Sequence, residues 1–525
     1  MIQPGAEQAL SATIPRGLIG ALSENLRRAG HTPVRALTGY AAAWLCFLTI
    51  LIVLPTPGGL THQGMAVLAI VVWASVMWIS EAMPLGVTGL VIPLMLMLTH
   101  AVAWPVRDGL AQPPFETVFA GFTNDVVWLC LFAFIVGSLM RLSGLDRRVA
   151  ITILHRTRAK TDGQVIWGMF IVNLALCFLL PAANARTSAM LPVVTSVADQ
   201  LPADDPRSAG GRKAIIIQSL VYGSMITGIA IMTAHLPNYI LLKLFADHGL
   251  KISFLQWFAL NAPYLGMFAV TQIWVKRFFR AGQAPIADAG GKIAAMHRAL
   301  GRMTAAETAL LTIMLAVGLL FLLGKGSPLL ELHTLPLGVI ALIGLLLLFV
   351  PGLFPFRWRA IEADTPWGTF LLIGGALTLT AAMASSGLAS WLALQVHAMV
   401  AHKSWWAATV LVILGTHVIR LGMLSNVAAV ALLAPIAYAL GQSLHLNAPA
   451  FAALVCNGDS FSYILPTQIT AGVIAYSSGA FTATEYARLG VVSTAISIVY
   501  TMVIMVPWYA LMGMPLWNPS APWPF

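Results

Sequence analysis

The residues best suited to chemistry sit in two short polar interruptions of long apolar stretches. Within 165–199 the run Pro181-Ala-Ala-Asn184-Ala-Arg186-Thr187 breaks the apolar pattern, and within 404–442 the run Gly422-Met-Leu-Ser425-Asn426 does the same. Backbone that leaves helical geometry inside a bilayer is tolerated only where protein or a water-filled site satisfies its polar groups. Helices restarting near Thr187 and Val427 would aim free N–H groups and the positive end of their dipoles at such a site, which suits a carboxylate or other oxyanion. The free carbonyls and the amides of Asn184 and Asn426 suit a small cation. Binding and release of a small anion is the chemistry indicated.

Arg186 is a charge at membrane depth, which is costly unless it pairs or lines a polar cavity. Three roles stay open for it: bidentate contact with an anionic substrate, electrostatic replacement of a bound cation, or a structural pairing with a helix C-terminus. Arg420 lies six residues before Asn426, so it either faces the cavity or runs along its helix, the structural role being slightly favoured. His417 shares a helical face with Arg420. His235 lies at another break, Ala234-His235-Leu236-Pro237-Asn238, where it is a packing residue or a proton-coupling one. Glu81 reads as a cap or pairing residue, Lys243 as a snorkelling one, and Asp459 as a bonder of backbone amides or a residue that sees the cavity.

The elements that must position these groups are membrane helices. Of 525 residues, 59% are hydrophobic and 9% charged, which excludes a water-soluble chain of this size. The net charge of +10 resides mostly in short links between apolar runs, so it orients helices and does not point to nucleic acid. Eleven spans are predicted at about 38–55, 65–80, 85–101, 126–155, 214–246, 254–275, 307–324, 335–352, 367–398, 448–479 and 486–513. The stretches 165–199 and 404–442 are each too long for one span and read as re-entrant hairpins. Cys46, Cys130, Cys177 and Cys456 all lie in apolar segments, without metal or redox spacing. Residues 1–37 lack the pattern of a signal peptide, so the first span is expected to stay in the mature protein.

Basic residues test this layout. With the N-terminus cytoplasmic and 165–199 re-entrant, Arg156, Arg158 and Lys160 fall inside, as do Arg207, Arg212 and Lys213 and the basic link 276–305. An internal repeat agrees. Ser143-Gly144-Leu145 precedes the first hairpin and Ser386-Gly387-Leu388 the second; Gly144 to Pro192 and Gly387 to Pro435 are both 48 residues apart. Because one hairpin opens inward and the other outward, the halves have opposite topology, an arrangement used by secondary transporters.

With these residues in view, the chain resembles the divalent anion:sodium symporters, which carry di- and tricarboxylates or sulfate. The likeness runs from Trp78-Ile-Ser-Glu81-Ala-Met-Pro84 through the Ser-Gly-Leu turns and Pro366-Trp367 to the end. It implies elevator transport by homodimers, with a substrate domain sliding against a scaffold, and Na+ as a possible coupling ion. The family's hairpin tips carry Ser-Asn-Thr, whereas this chain has Ala183-Asn184-Ala185 and Ser425-Asn426-Val427. The family's Thr-Pro-Pro-Asn-like break reads Ala234-His235-Leu236-Pro237-Asn238 in the first half and Gln468-Ile469-Thr470-Ala471-Gly472 in the second. Sodium ligands implied by the resemblance reduce to Asn184, Ser425 and Asn426 with backbone carbonyls.

Other classes find no support. No phosphate-binding Gly-Lys-Ser/Thr loop occurs, Gly324-Lys325-Gly326 lacking its spacing and hydroxyl, and no His-Glu-x-x-His or Gly-x-Ser-x-Gly. An intramembrane enzyme using Asp459 or His235 lacks a converging nucleophile and base. The expectation is therefore an all-α polytopic inner-membrane protein with eleven spans, two re-entrant hairpins and two inverted repeats. It is expected to be a carrier of small anions in the lipid bilayer and not an enzyme, and the resemblance implies a homodimer. Cation symport is expected, with proton coupling or sodium-independent exchange as the alternative. Substrate is expected to meet Asn184, Ala185, Arg186, Thr187, His235, Pro237, Asn238, Ser425, Asn426, Val427, Thr467 and Thr470. The expected domains are a cytoplasmic tail 1–37, scaffold 38–155, transport unit 156–275, basic link 276–305, scaffold 306–400, transport unit 401–513 and external tail 514–525.

Overall fold

A computed structural model of the chain describes residues 33–104, 106–107, 110–111, 113–178, 180, 182–202, 206–285, 289–324, 334–423 and 425–525. Most of the expected N-terminal tail, with Arg16, Arg27 and Arg28, lies outside the described residues. So do Pro181 and Leu424 of the tips, and Lys325 and Gly326. The described strands are two residues each, Val106–Arg107 and Leu110–Ala111, paired antiparallel. The rest is helix and connection.

Eight described helices are long and apolar enough to cross a bilayer: Val34–Val53, His62–Ser80, Asp125–Ser143, Arg207–Ala230, Ala305–Leu322, Trp367–Ser385, Asn426–Ser443 and Ala483–Leu511. Five of their starts carry side-chain caps that satisfy first-turn N–H groups. Thr61 accepts from Gly64, Asn124 from Val126, and Thr304 with Glu307 and Thr482 with Glu485 form capping boxes.

Five of the eleven expected spans are divided, two of them at the expected breaks 234–238 and 468–472. The 126–155 run ends its first helix at Ser143, because Gly144 turns the chain at φ +77° and a second helix, Leu145–Thr157, leaves in a new direction. The 367–398 run breaks identically at Gly387, φ +78°. Glycine is needed at both Ser-Gly-Leu turns because a Cβ strains this left-handed conformation. The 214–246 run breaks after Ala230, passes through a single 3-10 turn at Met232–Ala234 and restarts at Leu236–Asp247. The 448–479 run is likewise divided into Ala448–Asp459, a 3-10 turn at Pro466–Gln468, and Thr470–Tyr476. Leu85–Leu98 and Leu337–Leu348 are apolar but short. The 254–275 run is Phe254–Asn261 and Met267–Phe279 joined by a 3-10 turn that holds Pro263.

Both proposed hairpins begin and end on one side. The first consists of Asp162–Cys177 and Ala183–Ala198. A Cβ placed on Gly211 would lie 2.8 Å from Oδ2 of Asp162 and 3.1 Å from Leu201, so the start of one arm and the end of the other meet there. The second consists of Trp405–Arg420 and Asn426–Ser443. Trp405 packs on Trp517 with ring centroids 5.6 Å apart, while Asn447 N–H donates to the Leu516 carbonyl at 2.9 Å. Chain entering and leaving at one level, around a non-helical tip, is the geometry of a re-entrant segment.

The remaining helices pack closely around these hairpins. Leu85–Leu98 crosses Trp367–Ser385 through glycines: a Cβ on Gly375 would come within 2.2 Å of the Gly89 carbonyl oxygen, and one on Gly89 within 2.6 Å of Leu371 O. In lipid, such small-residue contacts replace the hydrophobic drive between helices. Gly375→Val is expected to lower stability by about 1–3 kcal/mol through forced separation of the two helices, read as a fall in thermal unfolding temperature in detergent; unchanged unfolding would show that this crossing is not tightly packed.

Candidate functional site

Each hairpin tip is tied to the broken helix of its own half by one buried arginine. Arg186, in the first turn of Ala183–Ala198, is fully enclosed. Its Nη1 donates to Leu180 O and Ala234 O, both at 2.8 Å, and Nη2 donates to Ser224 O at 2.9 Å. These carbonyls come from the tip, the 3-10 turn of the break, and the helix before that break. Gly228 leaves the space required, since a Cβ there would stand 3.0 Å from Nη2. Arg420, the last residue of its helical arm, is also fully buried. It donates through Nη1 to Met423 O at 3.0 Å, and through Nη2 to the Asn426 amide oxygen and to Gln468 O.

The two clamps correspond. Ala234 and Gln468 each end a 3-10 turn; the next residues, His235 and Ile469, have φ −142° and −137°, and helices restart at Leu236 and Thr470. Each arginine bonds the carbonyl 48 residues further along. Arg186 reaches from the second arm of its hairpin and Arg420 from the first, so different positions perform the same task. A hydrogen bond to a charged group contributes roughly 1.5–3 kcal/mol net, and the several bonds to each guanidinium hold tip and break together.

The two arginines differ in charge balance. Arg420 Nε lies 3.6 Å from Oδ2 of Asp459, and both groups are fully buried. Neither Asp459 oxygen receives a hydrogen bond. Among the described residues no carboxylate pairs with Arg186. The other buried acids are engaged elsewhere: Asp146 accepts from Arg147 N–H, Asp162 from Gly163 and Gly282 N–H, and Glu307 pairs with Arg148 at 2.7 Å.

Between the tips lies a cavity of about 430 Å³. Eight of the twelve expected site residues line it: Asn184, His235, Pro237, Ser425, Asn426, Val427, Thr467 and Thr470. The other four are corrected. Ala185 faces an adjoining cavity with Arg141 and Asp364. Arg186 stands behind the wall, its Nη1 and Nη2 groups bonded to carbonyls while the buried Nε has no partner. Thr187 is buried with its hydroxyl on Ala183 O, Leu220 O and the Ser224 hydroxyl. Asn238 donates to Gly228 O, Ile231 O and Met232 O, which closes the break from within.

The remaining polar residues also find places. His235 Nε2 lies 3.2 Å from the Ser460 hydroxyl. His417 Nδ1 lies 2.9 Å from the Ser462 hydroxyl, which donates to the Asp459 carbonyl. Lys243 pairs with Asp247 instead of snorkelling alone. Asp459, expected to bond backbone amides or see the cavity, does neither. Sequence reasoning did not identify Arg35, Glu81 and Thr369 as lining residues. Arg35 donates to Ile79 O at 2.7 Å, and its place beside the tips follows only from helix packing. The Arg420–Asp459 pair had no signal beyond two charges in apolar segments. Among the described residues no group of His, Cys, Asp and Glu could hold a metal ion.

A family model described as "Sodium:sulfate symporter transmembrane region" matches residues 36–514. The chain belongs to this symporter family. Relatives include a "Membrane protein" of Cupriavidus necator, 28% identical over 87% of this chain and 89% of its own. Two proteins named "Sodium-dependent dicarboxylate transporter SdcS" also match: that of Staphylococcus saprophyticus at 25% identity over 90% of this chain and 91% of its own, and that of Staphylococcus aureus at 26% over 87% of each. Two solved transporters share the fold. Neisseria gonorrhoeae MtrF aligns with a TM-score of 0.54 at 14% identity over 84% of this chain and 97% of its own. Alcanivorax borkumensis YdaH aligns at 0.50 and 16% identity over 84% of this chain and all of its own. This symporter-family member is thus a multi-pass membrane transporter and not an enzyme.

Removing one partner of a buried pair leaves the other charge uncompensated. Arg420→Met is therefore expected to destabilise the protein by about 3–5 kcal/mol, and Arg420→Met with Asp459→Asn to recover much of that loss. Thermal unfolding of the single and double variants measures the coupling, and strictly additive losses would show that the pair is not coupled.

Proposed function

We infer that the protein is a secondary carrier of a small dianion, of dicarboxylate or sulfate class, bound in the cavity between the hairpin tips. The observation that carries this reading is the charge balance: two buried guanidinium groups stand behind the cavity wall, and the one buried carboxylate near them, Asp459, lies beside Arg420. A buried cation without a counter-ion is expensive, and an anion beside Asn184 and Asn426 would supply one. The amides of those residues, the hydroxyls of Ser425, Thr467 and Thr470, and helix N–H groups at the restarts offer neutral donors. The dicarboxylate named for the staphylococcal relatives and the sulfate in the family description belong to this chemical class.

The same geometry favours sodium-independent transport. Unwound backbone carbonyls at a helix break are the usual ligands of a coupling cation, yet here they surround Arg186 and Arg420. A tethered guanidinium supplies the field of such an ion and cannot be released. In this reading the tips and breaks, 156–275 and 401–513, form a unit that slides against a scaffold made from 38–155 and 306–400. The inverted halves provide the two access states, the basic links place the N-terminus in the cytoplasm of an inner-membrane homodimer, and the external tail is 514–525.

Counterflow decides between the coupling modes. Proteoliposomes loaded with unlabelled succinate or sulfate are expected to take up the labelled anion at the same rate in choline as in sodium medium. Strict sodium dependence would overturn the replacement of the cation by arginine, and absence of any anion exchange would overturn the carrier reading.

A further inference from the structure

The buried pair Arg420–Asp459 has a feature that a purely structural ion pair lacks. Oδ1 and Oδ2 of Asp459 are enclosed without a single hydrogen-bond donor, and Arg420 Nε approaches no closer than 3.6 Å. The Arg420 N–H groups that could have solvated the carboxylate are turned instead to Met423 O, Asn426 Oδ1 and Gln468 O. An ionised carboxylate in this setting is held by charge attraction alone, so its negative form costs much desolvation. The carboxylate can therefore exchange its charge for a proton without breaking any hydrogen bond.

The consequence for the cavity is electrostatic. With Asp459 ionised, Arg420 is balanced and only Arg186, behind the cavity wall, stays uncompensated, a net charge that suits a single negative charge. With Asp459 protonated, both guanidinium groups are uncompensated, and their sum matches a dianion. We propose that Asp459 is a proton-binding site that sets the charge of the anion carried, so that a dianion is bound and moved together with one proton. This rests on the carrier reading and names its coupling ion. The only bond that forms and breaks is the carboxyl O–H. A proton from the aqueous side adds to Oδ1 or Oδ2 of Asp459 as the dianion binds, and it leaves on the other side with the anion.

The surroundings provide a way in. The titratable or charged groups about Asp459 are Arg420, His417, Cys456 one turn earlier on the same helix, and His235. His235 lines the cavity and its Nε2 meets the hydroxyl of Ser460, the residue after Asp459. His417 meets Ser462 while its Nε2 lacks a partner. His235 is therefore the titratable side chain that joins the cavity to the segment carrying Asp459. Arg420 transmits the change, because it also holds Asn426 of the cavity wall.

The test uses sulfate, which does not itself titrate near neutrality. Purified full-length protein in weakly buffered detergent is expected to take up about one proton per sulfate bound, followed with a pH indicator. In proteoliposomes with the membrane potential clamped at zero, an inside-alkaline gradient is expected to drive accumulation of up to about tenfold per pH unit. Asp459→Asn, whose neutral amide mimics the protonated acid, is expected to abolish proton uptake on binding and pH-driven accumulation. Asp459→Glu retains a titratable carboxyl and is expected to keep both. Sulfate binding by the wild type without proton uptake would overturn the proposal while leaving the carrier reading intact. Undiminished proton uptake in Asp459→Asn would overturn it too, as would anion binding without proton uptake in Asp459→Glu. No anion binding or exchange by the wild type would instead remove the carrier reading beneath it.

Discussion

A guanidinium group surrounded by backbone carbonyls, once at each hairpin tip, is the interaction on which this structure depends. A helix that stops inside a bilayer leaves carbonyls with no water to bond, and each costs several kcal/mol if unsatisfied. Transporters commonly meet that cost with a bound cation or with ordered water. Here Arg186 and Arg420 meet it with side chains that belong to the chain itself. The tips are thereby tied to the breaks by side chains of the chain itself. Their positive charge is a permanent part of the site.

Permanence of that charge shapes everything around it. Two tethered cations can never leave, so in the proposed carrier an anion site would not wait for an ion to bind first. One cation is balanced by Asp459 and the other is not. The imbalance is the ground for proposing an anion between the tips although no cationic side chain of the tips themselves projects into the space. Arg186 acts through a wall of its own backbone, which its hydrogen bonds hold in place. In the proposed reading, the loss of hydroxyls relative to the family's tip motif is the other side of the same exchange: where a guanidinium fills the carbonyl cage, hydroxyl ligands for a metal ion would have no task. Thr187, which keeps its hydroxyl, uses it inside the protein, on Ser224 and two carbonyls.

The scaffold around the tips is built by simpler means. Glycines at Gly89 and Gly375 allow two helices to touch backbone to backbone, and the glycines of the Ser-Gly-Leu turns redirect the chain before each hairpin. Membrane helices have little hydrophobic reason to associate, so close van der Waals contact and the few buried polar bonds carry the packing. Charged pairs at the ends of helices, such as Arg148 with Glu307, then fix links to the bundle.

The sequence by itself determined that the chain is a helical membrane protein with two tips, two breaks and a cavity-facing set of amides and hydroxyls. These features are local: apolar runs, a glycine turn, and a polar interruption declare themselves within a window of a few residues. Asn184, Asn426, His235 and Thr470 were legible because they stand at interruptions, and interruptions in a membrane are places where a cavity must be. The 3-10 turns at Met232–Ala234 and Pro466–Gln468 fall at breaks the sequence already showed, whereas the one at Ala262–Gly266 was not legible, because an apolar run reads the same whether or not a 3-10 turn divides it. Tertiary structure alone decided where the charges point. Arg186 turned from the cavity to three carbonyls, and Asp459 came to lie beside Arg420. Both outcomes depend on groups dozens of residues away, and the direction of a long side chain is set by whichever unsatisfied partner the fold brings within reach.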